Sequence, residues 1–417
     1  MMKGKNLVFV CFFILWALAP AKTQANQLTL QGINDRFAVT FADGVSESMQ
    51  LEFARKHRLE VMRVFRPINT LIVTPMPGQT IMVKEILRVD PLVYFISDDF
   101  YANWIDAKIS PEEEVAQLDV VMNTPAQDPL PVEQEPPAPK EDPQDNKEVQ
   151  WGVARVNAPA AWDTNQGAGV KVAIVDTGID PNHPDLKANI RGGHNAVDKE
   201  SPWADDHFHG THVAGIVAAA LNGEAVVGVA PKADLYAVKV LTKEGSGSIF
   251  GIIGGLMWCI ENGMNVVNMS LGAPQDNFLF KYAVGAVNNA GIAMVVAAGN
   301  DGKAVNFPAA YESTIAVSAL DKDDTIVSFS SRGPEIDFIA PGVKIPSTVT
   351  GGGVEAYSGT SMACPHVAGL AALAVAKGAK GLDQVRSVLS ANAQKLPNLS
   401  ADEQGKGLVN AAGLSQF

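Results

Sequence analysis

The sequence predicts an α/β protein: a three-layer domain on a mostly parallel sheet, preceded by a small α+β domain. Three observations carry this. Beyond residue 150, apolar strand-like runs alternate with helical segments. Those runs are apolar on both faces, as strands are in a sheet covered on two sides. A compositional break at residues 106–149, rich in Pro, Glu, Asp and Gln, separates the two parts.

In the larger part, assigned to residues 150–417, residues 170–175 form a continuous apolar strand. Residues 234–240, 266–269, 292–297 and 315–317 read the same way. Helical patterns fill residues 209–221, 248–262 and 278–289. In such sheets functional groups gather beyond the carboxyl ends of the strands.

In the smaller part, assigned to residues 26–105, residues 36–41 are strand-like. Residues 46–57 are amphipathic, with Met49, Phe53 and Ala54 on one side and Ser46 or Ser48 as a cap. Residues 59–65 and 71–74 are short apolar runs flanking Pro67 and Asn69, 80–89 a second helix and 92–97 a last strand. This β-α-β-β-α-β order is the split, ferredoxin-like one. Nothing in it is catalytic in character, and His57 reads as a solvated residue at a polar helix end.

Between them, residues 110–150 hold eleven Asp/Glu against two Lys, which is −9 of the chain's net −13. Seven prolines fall between 125 and 143. Such composition buries too little apolar surface to offset ordering entropy, so 106–149 is predicted to be a semi-extended linker. The acidic balance argues against a nucleic-acid or anionic-lipid partner.

The first residues read as an export signal. Lys3 and Lys5 precede an apolar run over 7–18, and small residues at 19–21 and 23–25 offer cleavage sites. The run is short for a bilayer span, so residues 1–25 are a signal peptide and no stable membrane anchor is expected. The product is then secreted, extracellular or periplasmic. A monomer is expected. Cys259 and Cys364 remain after signal removal, both in apolar helical stretches. They read as buried thiols, with a single disulfide as the alternative. No CxxC supports a cysteine zinc site.

Three motifs carry chemistry. Asp176-Thr177-Gly178 ends a buried strand, where a turn or helix cap is the plain alternative. His209-Gly210-Thr211-His212 opens a small-residue helix. There a histidine can serve as a base, since the helix amino terminus disfavours its charged form. Metal binding by His209 and His212 is the rival, but the Glu of HExxH and a third ligand are missing. Ser361 precedes Pro365, which is tolerable only in a first turn, so a helix starts close to Ser361 and aims N–H groups beside it. A serine cap is the alternative, and His366 reads as a satisfied structural histidine. The order Asp, His, Ser is one of the known orders of a serine-hydrolase triad.

Residues 150–417 resemble a complete subtilisin-family (subtilase) catalytic domain. The matching stretches are 172–185 (VAIVDTGIDPNHPD), 209–215, 228–231 (GVAP), 268–272 (NMSLG), 297–300 (AAGN), 340–342 (APG), 357–369 and 405–410 (GKGLVN). The first domain is similar to the family's propeptide, a chaperone and inhibitor. The resemblance implies a subtilisin-like fold and a serine endopeptidase acting on proteins or peptides. Ser361 would be the nucleophile, His209 the base and Asp176 its support. Asn300 and the Ser361 N–H would hold the oxyanion. Gly245, Ser246 and Gly247, with Ser270, Leu271 and Gly272, would pair with an extended substrate. Ala297, Ala298 and Gly299 would wall the pocket before the scissile bond, and Ile249 and Ile252 would line a pocket further along. The loop over 300–308 is shorter than in the best-known members, and Asn306 within it falls where many members have Gly at the pocket floor, which argues against large aromatic side chains. A structural Ca²⁺ would use Asp185 and the loop 222–226, with Asn222 as a ligand. The propeptide would act as an intramolecular inhibitor, its tail at 98–104 lying in the groove, until self-cleavage. Competing readings are a degenerate peptide-capture module and a metal-dependent hydrolase.

Overall fold

The computed structural model describes residues 35–105 and 148–415. The predicted signal peptide, and the linker except for Glu148 and Val149, lie outside the described residues.

The small domain is a four-stranded antiparallel sheet of β1 (Phe37–Phe41), β2 (Glu60–Phe65), β3 (Thr70–Thr74) and β4 (Val93–Asp98) in the order β2-β3-β1-β4. Strand alternation splits β1 between two cores. Phe37, Val39 and Phe41 face the helices Glu47–Lys56 and Thr80–Leu87, while Ala38 faces the larger domain. Ser46 caps the first helix by accepting the Met49 N–H. The second helix stops at Leu87 rather than 89, because Pro91 keeps Asp90 out of helical conformation. His57 is only partly exposed, and its ring lies 4.4 Å from that of Phe53, so it packs rather than standing free in solvent.

A short strand β5 (Tyr101–Asn103) leaves the small domain and pairs with the larger one. There, β6 (Lys171–Asp176), β7 (Ile190–Asn195), β8 (Asp234–Lys239), β10 (Val266–Met269), β11 (Ala293–Ala297), β12 (Ile315–Leu320) and β13 (Ile336–Pro341) form one sheet. Its order is β7-β8-β6-β10-β11-β12-β13, and every neighbouring pair is parallel. The short β9 (Ser246–Ser248) receives β5, and β14 (Ile345–Val349) forms a hairpin with β15 (Gly353–Tyr357).

Val172 and Ile174 of β6 face the helices His209–Ala218, Thr360–Ala376 and Gly381–Ala391. Ala173 and Val175 face Ile249–Glu261 and Phe278–Asn289. This is the three-layer arrangement expected from strands apolar on both sides. From β6 the chain turns to β7 and β8 on one side, then crosses to β10 on the other. The switch point lies between β6 and β10, and Asp176 ends β6 there. Cys259 and Cys364 are free, buried and on opposite faces of the sheet, so a disulfide between them is ruled out. Burial pushes both thiols well above the usual range.

The small domain packs its second sheet face on the helices 249–261 and 278–289. Ala38, Phe65 and Ile72 join the same apolar cluster as Ile253 and Val284. Phe95 meets Phe278 edge to face at 4.6 Å. Asp99, paired with Arg36, accepts the Ser248 hydroxyl at 2.9 Å and the Phe250 N–H at 3.2 Å. It therefore caps a helix of the other domain from outside. Among the described residues, no single helix is long and apolar enough to cross a membrane.

Candidate active site

Asp176 and His209 are buried together. His209 Nδ1 lies 2.9 Å from Asp176 Oδ1 and 3.0 Å from Oδ2, and Oδ1 also accepts the Thr177 N–H at 2.7 Å. A carboxylate facing Nδ1 fixes that nitrogen as the protonated one and leaves Nε2 as the acceptor. Nε2 is buried with no partner. The next residue must be glycine: a Cβ at Gly210 would lie 2.1 Å from the Gly178 carbonyl, so only glycine lets the helix come this close to the strand end. His212 points elsewhere. Its Nε2 meets the Glu355 carbonyl at 3.1 Å, and burial lowers its pKa to about 3. The two rings have separate partners and form no common metal face. Among the described residues, no three His, Cys, Asp or Glu side chains converge as a metal site.

Ser361 is the second residue of the helix Thr360–Ala376, which packs against the His209 helix. Pro365 lies inside this helix, beyond the first turn that the sequence allowed it. Lacking an N–H, Pro365 cannot bond the Ser361 carbonyl four residues back. The Ser270 hydroxyl donates to that carbonyl instead, at 2.9 Å, and the Ser361 hydroxyl donates to the Ser270 carbonyl at 3.2 Å. The two serines thus exchange hydrogen bonds. His366 is half satisfied: Nδ1 meets the Met362 carbonyl, Nε2 has no partner, and burial lowers the ring to about 4.

Asn300 sits three residues past the end of β11, beside this helix start. Its Oδ1 accepts the Thr360 N–H at 2.8 Å and the Thr360 hydroxyl at 2.9 Å. A backbone N–H can only donate, so the oxygen must face Thr360 and Nδ2 is turned away from it. Asn300 Nδ2 and the Ser361 N–H flank one spot, each 3.6 Å from where a Gly359 Cβ would be. The second residue of a helix has no carbonyl of its own helix to bond, so that N–H is free for a ligand.

The groove segments are joined by the chain's own tail. Tyr101, Ala102 and Asn103 pair antiparallel with Ser248, Gly247 and Ser246. Trp104 N–H donates to the Gly245 carbonyl at 3.0 Å, and Gly272 N–H to the Trp104 carbonyl at 3.2 Å. The tail thus runs between both predicted segments. The Trp104 ring is buried with Ile249 and Ile252 and donates Nε1–H to the Gly247 carbonyl at 2.8 Å. Beyond it, Leu271, Gly272, Ala297, Gly299, Asn300 and Asn306 line a pocket beside Ser361, together with Trp104 and Ile105 of the tail.

Asp185 is fully buried. Its oxygens accept N–H groups from Asn222 (3.3 Å) and Val226 (3.2 Å), with no Lys or Arg beside them among the described residues. Glu148 accepts the Asn222 and Gly223 N–H groups at 2.9 and 3.0 Å.

Three contributors escaped the sequence reading. The Ser270 hydroxyl looked like one more groove residue. Asp99 stood only as part of the tail at 98–104. Lys239 is 4% exposed, and its ammonium donates to the Thr177 and Leu241 carbonyls and to Asp206. A signal for it existed: a lysine in a strand buried on both faces must find partners. It ties the Asp176 strand end to the loop that leads into His209.

A sequence model of the subtilase family matches residues 167–410. Subtilisin E of Bacillus subtilis (strain 168) is 47% identical over 276 residues, covering 64% of this chain and 71% of its own. Subtilisin of Bacillus pumilus is equally similar over 276 residues, which is 99% of its length. An alkaline protease of Alkalihalobacillus alcalophilus is 37% identical over 402 residues, 95% of this chain and 93% of its own.

Proposed function

Because the chain belongs to the subtilase family of serine endopeptidases, we propose that it is an exported, self-processing precursor that cuts peptide bonds with Asp176, His209 and Ser361. The observation that most supports this is a peptide already in the groove: residues 101–104 pair with both groove segments and end beside the Ser361 pocket.

Ser361 Oγ leaves the Ser270 carbonyl and attacks the scissile carbonyl. His209 Nε2 takes its proton, and Asp176 stabilises the imidazolium through Nδ1. The oxyanion receives Asn300 Nδ2–H and the Ser361 N–H; losing one such donor costs on the order of 10²–10³ in turnover, a figure that comes from this same family. The His209 proton passes to the departing amine, leaving an acyl-enzyme that water hydrolyses by the reverse sequence. The small domain blocks the groove in the precursor until the chain is cut between 105 and 150, and residues 1–25 direct export.

A structural Ca²⁺ would be held at Asp185, a buried carboxylate with no Lys or Arg beside it among the described residues; Asn222 would have to turn its amide over to join, because its nitrogen faces Asp185 and its oxygen accepts the Glu224 N–H. Chelation is expected to lower the melting temperature of the wild type and not that of Asp185→Asn; equal melting of wild type with and without EDTA would remove the ion.

Ser361→Ala is expected to abolish hydrolysis and fluorophosphonate labelling, and to leave the precursor uncut. His209→Ala should be about as damaging, since the two act as a unit. Processing of purified Ser361→Ala at the wild-type rate would refute self-cleavage.

A further inference from the structure

We propose that His207 is a positioning residue whose neutral ring caps the helix carrying His209, so that hydrolysis is lost on binding two protons, one at each histidine, as pH falls. The inference rests on the peptidase reading above and adds a second titrating group to it.

The helix His209–Ala218 begins with three N–H groups that have no carbonyl of their own helix to bond. Phe208, just before it, offers no side-chain acceptor, and each N–H is met from elsewhere. Thr177 Oγ1 accepts from Gly210 at 3.0 Å, and Asp205 Oδ2 from Thr211 at 3.0 Å. The first N–H, that of His209 itself, goes to His207 Nδ1 at 3.2 Å. Of these three acceptor types, imidazole is the one that ordinarily exchanges a proton near neutral pH.

A backbone N–H can only donate, so His207 Nδ1 is bare and the ring proton sits on Nε2. Protonation places a second N–H on Nδ1, facing the His209 N–H donor to donor. The ring then has to swing away, and the first turn of the helix loses the group that holds His209. The backbone of His207 stays where it is. Its N–H donates to Asp205 Oδ1 at 2.9 Å, and its carbonyl accepts the Thr350 hydroxyl at 3.4 Å. The half-buried ring stacks on Phe208 at 4.3 Å, and Phe208 stacks in turn on Tyr357 at 4.6 Å. A swing therefore also breaks a stack that flanks His209.

The charged groups around the ring come from several elements. The His209 ring lies 6.5 Å away between centroids, and Asp176, Asp205 and Asp206 lie near enough to act on it. Across Phe208 stands Tyr357, whose hydroxyl donates to Glu355. Burial and His209 disfavour the charged ring and the three aspartates favour it; the balance lies below the ordinary 6.5. Two of those carboxylates are already engaged, Asp206 by the Lys239 ammonium at 2.6 Å and Asp176 by His209. The helix amino terminus opposes the positive charge as well.

The test is the pH dependence of kcat/KM from pH 8 to 4 for mature enzyme on an uncharged peptide amide, which reports groups of the free enzyme. Only points from which activity returns at pH 8 are counted, so that unfolding does not enter. In wild type the acid limb should steepen from a logarithmic slope of one to a slope of two. One pH unit below the His207 transition, hydrolysis should be about 10-fold below a one-proton curve. Asparagine can accept the same N–H through its amide oxygen and does not titrate. His207→Asn should therefore retain most of the turnover at pH 8 and keep a slope of one throughout. If that variant does not fold, heteronuclear NMR of the histidine rings in uncut Ser361→Ala decides: Nδ1 of His207 should be bare at pH 8 and gain its proton over the range of the second slope. A slope of one in wild type, a slope of two that persists in folded His207→Asn, or a proton on His207 Nδ1 at pH 8 overturns this inference and leaves the peptidase reading standing. No hydrolysis at any pH, or hydrolysis that survives a fluorophosphonate, overturns the peptidase reading and this inference with it.

Discussion

Ser361 and Ser270 exchange their hydroxyl bonds because a proline four residues on leaves one carbonyl without a donor. The residues proposed as catalytic could be picked out in the sequence, since each sits in a short motif at a strand end or helix start. What the sequence lacked were orientations. Which atom of Asn300 faces outward depends on Thr360, 60 residues away. The role of the Ser270 hydroxyl depends on a contact across 91 residues. Buried histidines behind the site have a consequence for pH. Burial holds His212 near 3 and His366 near 4, against an ordinary 6.5. Between those values the unfolded chain binds protons that the folded one refuses, so stability is complete above about pH 6.5 and falls as pH drops. The loss from His366 alone is on the order of 3 kcal/mol at pH 4. Asp99 and Asp337, raised by burial, act in the opposite sense. Thermal melts of uncut Ser361→Ala from pH 7 to 4 should fall, and His366→Gln should fall less steeply. A flat profile would contradict this.

Elements were read best where one pattern dominates. The strand at 266–269 and the helix at 278–289 were bounded to the residue from their apolar patterns, and Asn277 caps that helix by accepting the Phe280 N–H. β7, with the sequence IRGGHN, escaped because two glycines erase its strand character. The reason for the second lies outside the strand: a Cβ at Gly193 would fall 2.3 Å from the Ala237 carbonyl and 2.8 Å from the Trp203 ring. β5 was anticipated only as a tail in a groove, not as a three-residue strand with a defined partner. Its anchor is Trp104, 4% exposed, with its indole N–H bonded. Trp104→Ala removes that anchor while leaving the sheet-to-helix packing of the small domain. The uncut precursor carrying it should therefore hydrolyse small peptides at least several-fold faster than uncut wild type. Equal latency of the two would show that the tail contributes nothing to inhibition.

Across the whole molecule, one apolar cluster is built from both domains, with Phe65 and Ile68 of the first against Ile253 and Phe280 of the second. The division into domains was expected from composition, because residues 106–149 stand out by charge and proline. The docking was not visible, since nothing in a single chain marks which helices a sheet will cover. The tail that lies in the groove belongs to the same polypeptide as the nucleophile, and this sets a kinetic order. On the proposed self-cleavage two molecules need not meet for the first cut, so maturation from this arrangement is expected to be unimolecular. Its half-time should stay constant when the precursor is diluted a hundredfold, whereas cutting of one molecule by another would slow in proportion. Dilution series followed by gel electrophoresis separate the two. A constant half-time would make the linker cut a clock started by folding itself, running at the same rate in a crowded compartment and in a dilute one.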